Sequence, residues 1–124
     1  MSDLKQFEKQ QYLNIETFRK NGLGVKTPVW FAQDGQKLYI WTGAASGKTK
    51  RVRNGGRVNI VPCQASGTPL GEWLPAIAGV DDSASALEHV NALMRGKYGF
   101  LFSLLAFISR LRHAEYVAIQ VEAA

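Results

Sequence analysis

The chain predicts a mainly β fold, an antiparallel β-barrel with attached helices. Six short runs have strand character, two of them flank an Asp34-Gly35 pair, and the helical patterns come late in the chain. Strands and helices therefore do not alternate, and the βαβ rhythm of a parallel sheet is missing. The 124 residues suffice for one domain, 1–124, with a substantial core. Apolar content of 46% and charged content of 20% exclude a disordered chain, and neither a linker nor an internal repeat interrupts the pattern.

Each element has a local reason. Tyr12 to Phe18 alternates Leu13 and Ile15 against Asn14 and Glu16, the period of a half-buried strand. Gly22 and Gly24 mark a turn. Val25 to Phe31 and Lys37 to Thr42 form a hairpin around Asp34-Gly35, a dipeptide favoured where a turn needs positive φ. Ser46 to Asn54 makes a short helix, with Ser46 capping its free N–H groups and Gly55-Gly56 ending it. Arg57 to Cys63 and Leu70 to Val80 are further strands separated by the turn-rich Gln64 to Pro69, and Glu115 to Glu122 is the last. Trp30, Trp41 and Trp73 fall on three different strands, packed in the core or exposed where a planar ligand stacks.

Asp81-Asp82-Ser83 leads into a helix over 85–95, where Ser85 and Glu88 have capping-box spacing. Gly96 and Gly99 separate it from the very apolar run Tyr98 to Leu111, which is far short of the ~20 residues a membrane-crossing helix needs. That run reads as a buried or interface helix, with an interfacial membrane helix as the alternative. Met1 to Gln11 is polar and lacks the apolar stretch of a secretory signal, and the lone Cys63 forms no internal disulfide. A cytoplasmic protein with no membrane partner is the expectation.

The positive charge is local. Between Gly35 and Gly71 there is no Asp or Glu, while Lys37, Lys48, Lys50, Arg51, Arg53 and Arg57 supply six cations; the rest of the chain sums to −1 out of a total of +5. Such a window beside a strand end suits an anionic partner. Lys48 and Lys50 fall in the first turn of the short helix, where a cation opposes the helix dipole unless an anion is present. Ser46, Lys48, Thr49 and Lys50, with backbone N–H groups at the helix start, therefore form a candidate phosphate grip. For Arg53 and Arg57 a solvated basic face is the favoured reading.

Other chemistries find little support. Gly43 to Thr49 contains Gly-Lys-Thr but only three residues between its glycines, where a P-loop has four, and it follows a hairpin. His89 and His113 have no Cys or carboxylate at metal-ligand spacing, so no metal is expected. Cys63 has no obvious His partner and reads as a strand cysteine. Asp81-Asp82 reads as a helix cap. Nucleic-acid binding through Lys48 to Arg57 with tryptophan stacking is a rival, but no nucleic-acid partner is expected.

The sequence resembles the pyridoxamine-phosphate-oxidase-like split β-barrel family over Tyr12 to Val121, and within it the probable deazaflavin-dependent branch. The resemblance is carried by Thr27-Pro28-Val29-Trp30-Phe31, Leu38 to Gly43, Ser46-Gly47-Lys48-Thr49-Lys50-Arg51-Val52-Arg53 and Gly71-Glu72-Trp73. It implies a six-stranded antiparallel split barrel of the FMN-binding type that forms a homodimer, with a flavin-type cofactor at the interface. It also implies that Ser46, Lys48, Thr49 and Lys50 hold the cofactor phosphate, that Thr27, Pro28, Val29 and Trp30 line the ring, that Thr42 closes the pocket and that Trp73 comes from the partner subunit. Pro28 suits a strand position whose N–H no neighbour needs. Gly55-Gly56 stands where the family usually has Asp-Pro or Asn-Pro.

Two functions are implied. One is an oxidoreductase using FMN or the deazaflavin coenzyme F-420, transferring hydride to or from a small organic substrate; an acidic cofactor tail would draw on Lys20, Lys26 or Lys37. The other is a non-catalytic carrier of flavin, haem or bilin on the same fold. With the chemistry in the cofactor ring, neither needs a catalytic triad.

Overall fold

The computed structural model describes residues 3–124. After a 3-10 turn, Asp3–Phe7, come β1 (Tyr12–Phe18), β2 (Gly24–Trp30), β3 (Ala32–Asp34), β4 (Lys37–Gly43), α1 (Gly47–Asn54), β5 (Arg57–Cys63), β6 (Leu74–Asp81), α2 (Ala84–Tyr98), α3 (Phe100–Leu111) and β7 (Tyr116–Ala123). The strands form one antiparallel sheet in the order β2-β1-β5-β6-β7-β4-β3. Its two edges, β2 and β3, are consecutive in the chain and separated only by Phe31, so the sheet curls back on itself as a split barrel. The expected six strands become seven because Ala32–Asp34, which lies beyond the run Val25 to Phe31 and is not among the expected strands, forms one of its own: Trp30 pairs with Tyr12 of β1, whereas Ala32 pairs with Tyr39 of β4.

The break has a physical cause at Phe31. Its ring is fully buried, edge-on to Phe7 at 5.9 Å. Its backbone leaves the ladder, and the end of α2 replaces the lost hydrogen bonds. The Phe31 N–H donates to the Tyr98 hydroxyl at 3.1 Å, and the Phe31 carbonyl accepts from Lys97 Nζ at 2.7 Å and from the Tyr98 hydroxyl at 2.9 Å. Tyr98 also donates to the Gln11 carbonyl at 2.6 Å, sharing one proton between two acceptors. The Lys97 ammonium lies 3.6 Å from the centre of the Phe31 ring, within cation–π range. Burial holds its pKa down to about 8 and pushes the Tyr98 phenol well up.

Strands β1 and β5 match expectation to the residue, and β7 is shifted by one. The turn at Gly35 forms, but its first arm is β3 and not the expected run Val25 to Phe31, which pairs with β1 instead; Asp34 pairs with Lys37, the turn falls on Gly35-Gln36, and Gly35 has φ +61°, as a first-position glycine of a type II′ turn requires. Strand β6 starts at Leu74, not Leu70, because the Glu72 backbone bonds elsewhere: its N–H donates to Gln6 Oε1 at 3.2 Å and its carbonyl accepts from Gln6 Nε2 at 2.9 Å. Trp73 therefore lies in a loop and not on a strand. Helix α2 is capped by Ser83, whose hydroxyl accepts from Ala86 N at 3.2 Å, and not by Ser85. Asp81 contributes to the approach by accepting from the Ser83 N–H at 3.0 Å, bonds from Ser83 that lower its carboxyl pKa.

Two apolar clusters flank the sheet. The barrel interior holds Leu13, Ile15, Ile40 and Ile60, with Leu4 and Phe7 from the N-terminal turn and Val52 from α1. The second lies between the sheet and α2–α3, around Val90, Met94 and Phe102 with Trp30, Trp41 and Tyr98 against it. Helix α3 touches it through Phe102, but Phe100, Leu104, Phe107 and Leu111 are exposed.

Two outcomes are expected from the Phe31 clasp. Tyr98→Phe removes the acceptor of the Phe31 N–H and lowers unfolding stability by about 1 to 3 kcal/mol. The folded chain releases the Lys97 proton near pH 8 and the unfolded chain near 10.5, so the unfolded state holds more protons in between. The stability difference between wild type and Lys97→Met should be flat below pH 7 and grow as pH rises from 8 towards 10, read by urea unfolding. Tyr98, whose pKa burial raises, is present in both proteins and drops out of that difference.

Candidate functional site

Ser46, Lys48, Thr49 and Lys50 come together at the N-terminus of α1. Ser46 is the N-cap, and its hydroxyl accepts from the Thr49 N–H at 3.3 Å. Thr49 is fully buried and donates its hydroxyl proton to the Gly43 carbonyl at 2.8 Å, so at 2.9 Å the Ser46 hydroxyl donates to Thr49. Thr42, also buried, completes the chain with its hydroxyl 3.5 Å from that of Ser46. The three hydroxyls bond to one another and to the chain. Ser46 and Thr49 thus build the helix start, while the outward donors are the amides of Gly47 and Lys48, which have no carbonyl to bond within the helix.

The cations are less satisfied. Lys48 is half-buried, Lys50 exposed, and Arg51 half-buried with its Nε donating to Thr17 Oγ1 at 2.6 Å. The Arg51 guanidinium folds back over Gly47: a Cβ added there would lie 2.7 Å from Arg51 Nη1. Burial first, and the Arg51 charge second, lower the Lys48 pKa. Among the described residues the ion pairs are Lys37–Glu122, Arg53–Asp82 and His89–Asp34, so no carboxylate compensates Lys48, Lys50 or Arg51. Two partly desolvated cations facing each other at the positive end of a helix are unfavourable unless an anion sits between them.

Arg51, Gly47 and Thr17 adjoin the helix start and were not singled out by the sequence reading. The signals were present: Arg51 is one turn beyond Gly47, and Thr17 continues the inward Leu13, Ile15 series as a polar residue in a core position. Thr17 pairs with Val25 of β2, two residues from Thr27, so Arg51 links the grip to the strand carrying Thr27, Pro28, Val29 and Trp30.

That strand is a sheet edge, so the missing Pro28 N–H costs no ladder bond. Val29 packs on the barrel core, and Trp30 stacks on Tyr98 at 4.2 Å and 6°. Trp41 stacks on Tyr116 at 3.9 Å, and Trp73 lies under Lys26 Nζ at 5.2 Å. Each tryptophan thus has one ring face occupied. Lys26 is engaged with Trp73 and Lys37 with Glu122, while Lys20 lines a cleft of about 660 Å³ at the far end of α1.

His89 acquires a carboxylate neighbour through the fold, Asp34 Oδ2 at 3.0 Å, but among the described residues no group of three or more His, Cys, Asp or Glu is placed to hold a metal. Cys63 is buried, and burial raises its thiol pKa. Among the described residues no helix is long and apolar enough to cross a membrane.

The curled antiparallel sheet with its α1 insertion is the split-barrel fold of pyridoxamine-phosphate-oxidase-like proteins. Solved structures that share it include the heme storage protein HutZ of Vibrio cholerae, 14% identical over 100% of this chain and 92% of that one, with a TM-score of 0.73. A candidate pyridoxamine 5'-phosphate oxidase from Listeria innocua is 16% identical over 97% and 89%, with a TM-score of 0.64. An F-420 reductase is 15% identical over 98% and 92%, with a TM-score of 0.63. At these identities the likeness is one of fold. No protein-family model matches the sequence, and no curated protein matches it.

Lys48→Met should raise the stability of the protein alone by roughly 0.5 to 1 kcal/mol, by removing a cation that opposes both the helix dipole and Arg51. Added phosphate should stabilise the wild type more than the variant. Thermal unfolding with and without phosphate reads both effects.

Proposed function

We propose that the protein is a cytoplasmic homodimer that binds a flavin-type cofactor, FMN or the deazaflavin F-420, and transfers hydride to or from a small organic substrate. The observation that carries this reading is the uncompensated Lys48–Arg51 pair at the start of α1. It supplies two charges and two free amides for a phosphate within a fold whose neighbours include an F-420 reductase. The residues fit the group, because Gly47 leaves open the space that Arg51 occupies.

In this reading Lys48, Lys50 and Arg51 hold the phosphate, while Ser46, Thr49 and Thr42 keep the helix start in place for them. The edge-strand segment Thr27, Pro28, Val29 and Trp30 lines the ring, and Trp73 completes the site from the partner subunit. The bound ring supplies the two-electron chemistry. The chain's own work is to orient that ring and to keep water from one of its faces.

A carrier without turnover is the second reading, favoured by the likeness in fold to a heme storage protein. Against haem at this site, His89 is on α2 and paired with Asp34, and α2 packs on β3, β4 and β7 while α1 packs on β1 and β6. Sustained reduction of an acceptor by the reduced, loaded protein separates enzyme from carrier.

The test is titration of cofactor-free protein with FMN and with F-420. Tight binding of one is expected, and Lys48→Ala with Lys50→Ala should weaken it by roughly 2 to 4 kcal/mol, from ~1.5 to 3 kcal/mol for each charged hydrogen bond with overlap. Gly47→Ala, which displaces the Arg51 guanidinium, should weaken it with little loss of stability. Affinity unchanged in all variants would overturn the grip.

A further inference from the structure

Helix α3 presents an apolar face that nothing among the described residues covers. Phe100, Leu104, Phe107 and Leu111 recur at i, i+4, i+7 and i+11, one stripe along the outer side, with Leu101 and Ile108 beside them. Phe100 is 80% exposed, Leu111 65% and Phe107 55%. The opposite side is pinned, with Phe102 in the second core and the Ser109 hydroxyl bonding to the Leu105 carbonyl and the Tyr116 hydroxyl, both at 2.9 Å. The stripe therefore cannot turn inward while the helix stays docked.

Charge identifies the occupant. From His89 to Ala114 there is no Asp or Glu, and Arg95, Arg110, Arg112 and His113 are exposed around the helix. None of these four stands in an ion pair among the described residues. A second copy of the chain would set this segment against itself, bringing Arg110 and Arg112 towards their own copies, with exposed Glu88 and Glu115 only at the segment's two ends. An exposed apolar stripe edged by unpaired cations instead matches a surface that is apolar within and anionic at its rim.

We propose that α3 seats the protein on an anionic lipid surface, with the Phe100–Leu111 stripe entering the boundary between headgroups and acyl chains and Arg95, Arg110 and Arg112 facing the headgroups. The helix is too short to span and lies in the interface plane. It assigns the apolar helix to a membrane surface in place of the subunit-interface role read from sequence. It does not depend on the cofactor site.

The experiment is co-sedimentation of the full chain with vesicles of phosphatidylcholine alone and of phosphatidylcholine with phosphatidylglycerol. Binding to the anionic vesicles, at least about tenfold above neutral ones, is expected. Leu104→Ser with Phe107→Ser should lower it by about tenfold or more, and Arg110→Glu with Arg112→Glu should abolish the preference for anionic lipid. Both pairs are exposed, and circular dichroism confirms that the variants fold. Lys48→Ala with Lys50→Ala should leave binding unchanged. The proposal is overturned by no binding, by equal binding to neutral vesicles, or by binding that follows Lys48 and Lys50 and ignores Leu104 and Phe107. It is equally overturned if the apolar variant converts a dimer to a monomer by light scattering while vesicles capture neither.

Discussion

The barrel depends on satisfying the backbone of one residue. At Phe31 the chain leaves β1 and joins β4, and a buried N–H and carbonyl fall out of the ladder at that step. Left unpaired, they would cost several kcal/mol and favour an uninterrupted strand that could not close the sheet. Lys97 and Tyr98 remove that cost, and the partial burial this asks of the Lys97 ammonium lowers its pKa. The cation–π contact with the Phe31 ring offsets part of it.

Helix α1 solves a related problem at the barrel's side. Val52 and Thr49 sink into the protein, and the Thr49 hydroxyl ties the first turn to the end of β4. With the inner face so committed, Lys48 and Lys50 take what remains, and Arg51 is steered by Thr17 across Gly47. The same packing that anchors the helix therefore concentrates charge at its positive pole. None of the three α-helices has Asp or Glu in its first turn, but only α1 has lysines there, Lys48 and Lys50, where a cation opposes the helix dipole. That choice is hard to explain by folding and easy to explain by an anion.

What could be read from sequence was what depends on neighbours in sequence. Strands β1 and β5, the Gly35 turn and the Ser46 cap rest on period, turn chemistry and capping within a few residues, and all appear as read. The misplacements share a different origin. Phe31 is interrupted by side chains 66 and 67 residues away, and Glu72 is held out of β6 by Gln6, 66 residues back. No local pattern carries such partners. Leu4 and Phe7 were hidden in the same way, as two apolar residues in a polar stretch that only the folded barrel can bury. Ser85, read as the cap from its spacing to Glu88, gives way to Ser83, whose N–H is held by Asp81. Arg51 is the exception: helical spacing already put it over Gly47, but the sequence reading assigned Lys48 and Lys50 to the grip, Arg53 and Arg57 to a solvated face, and no role to Arg51.

The clasp also explains why α3 stands where it does. Lys97 and Tyr98 are the last residues of α2, so their bonds to Phe31 fix the end of that helix against the barrel. Gly99 follows at φ +62°, a conformation that favours glycine, and is at once the C-cap of α2 and the N-cap of α3. The direction of α3 is thus set within one residue of the clasp, and Phe102 and Ser109 hold the helix along that line. An apolar helix on a loose tether would fold its stripe onto the nearest apolar surface. Here the tether is the element that closes the barrel, and moving it would unpair Phe31. The exposure of the stripe is therefore held in place by the same contacts that make the fold, as a surface needs to be if it is to meet something outside the chain.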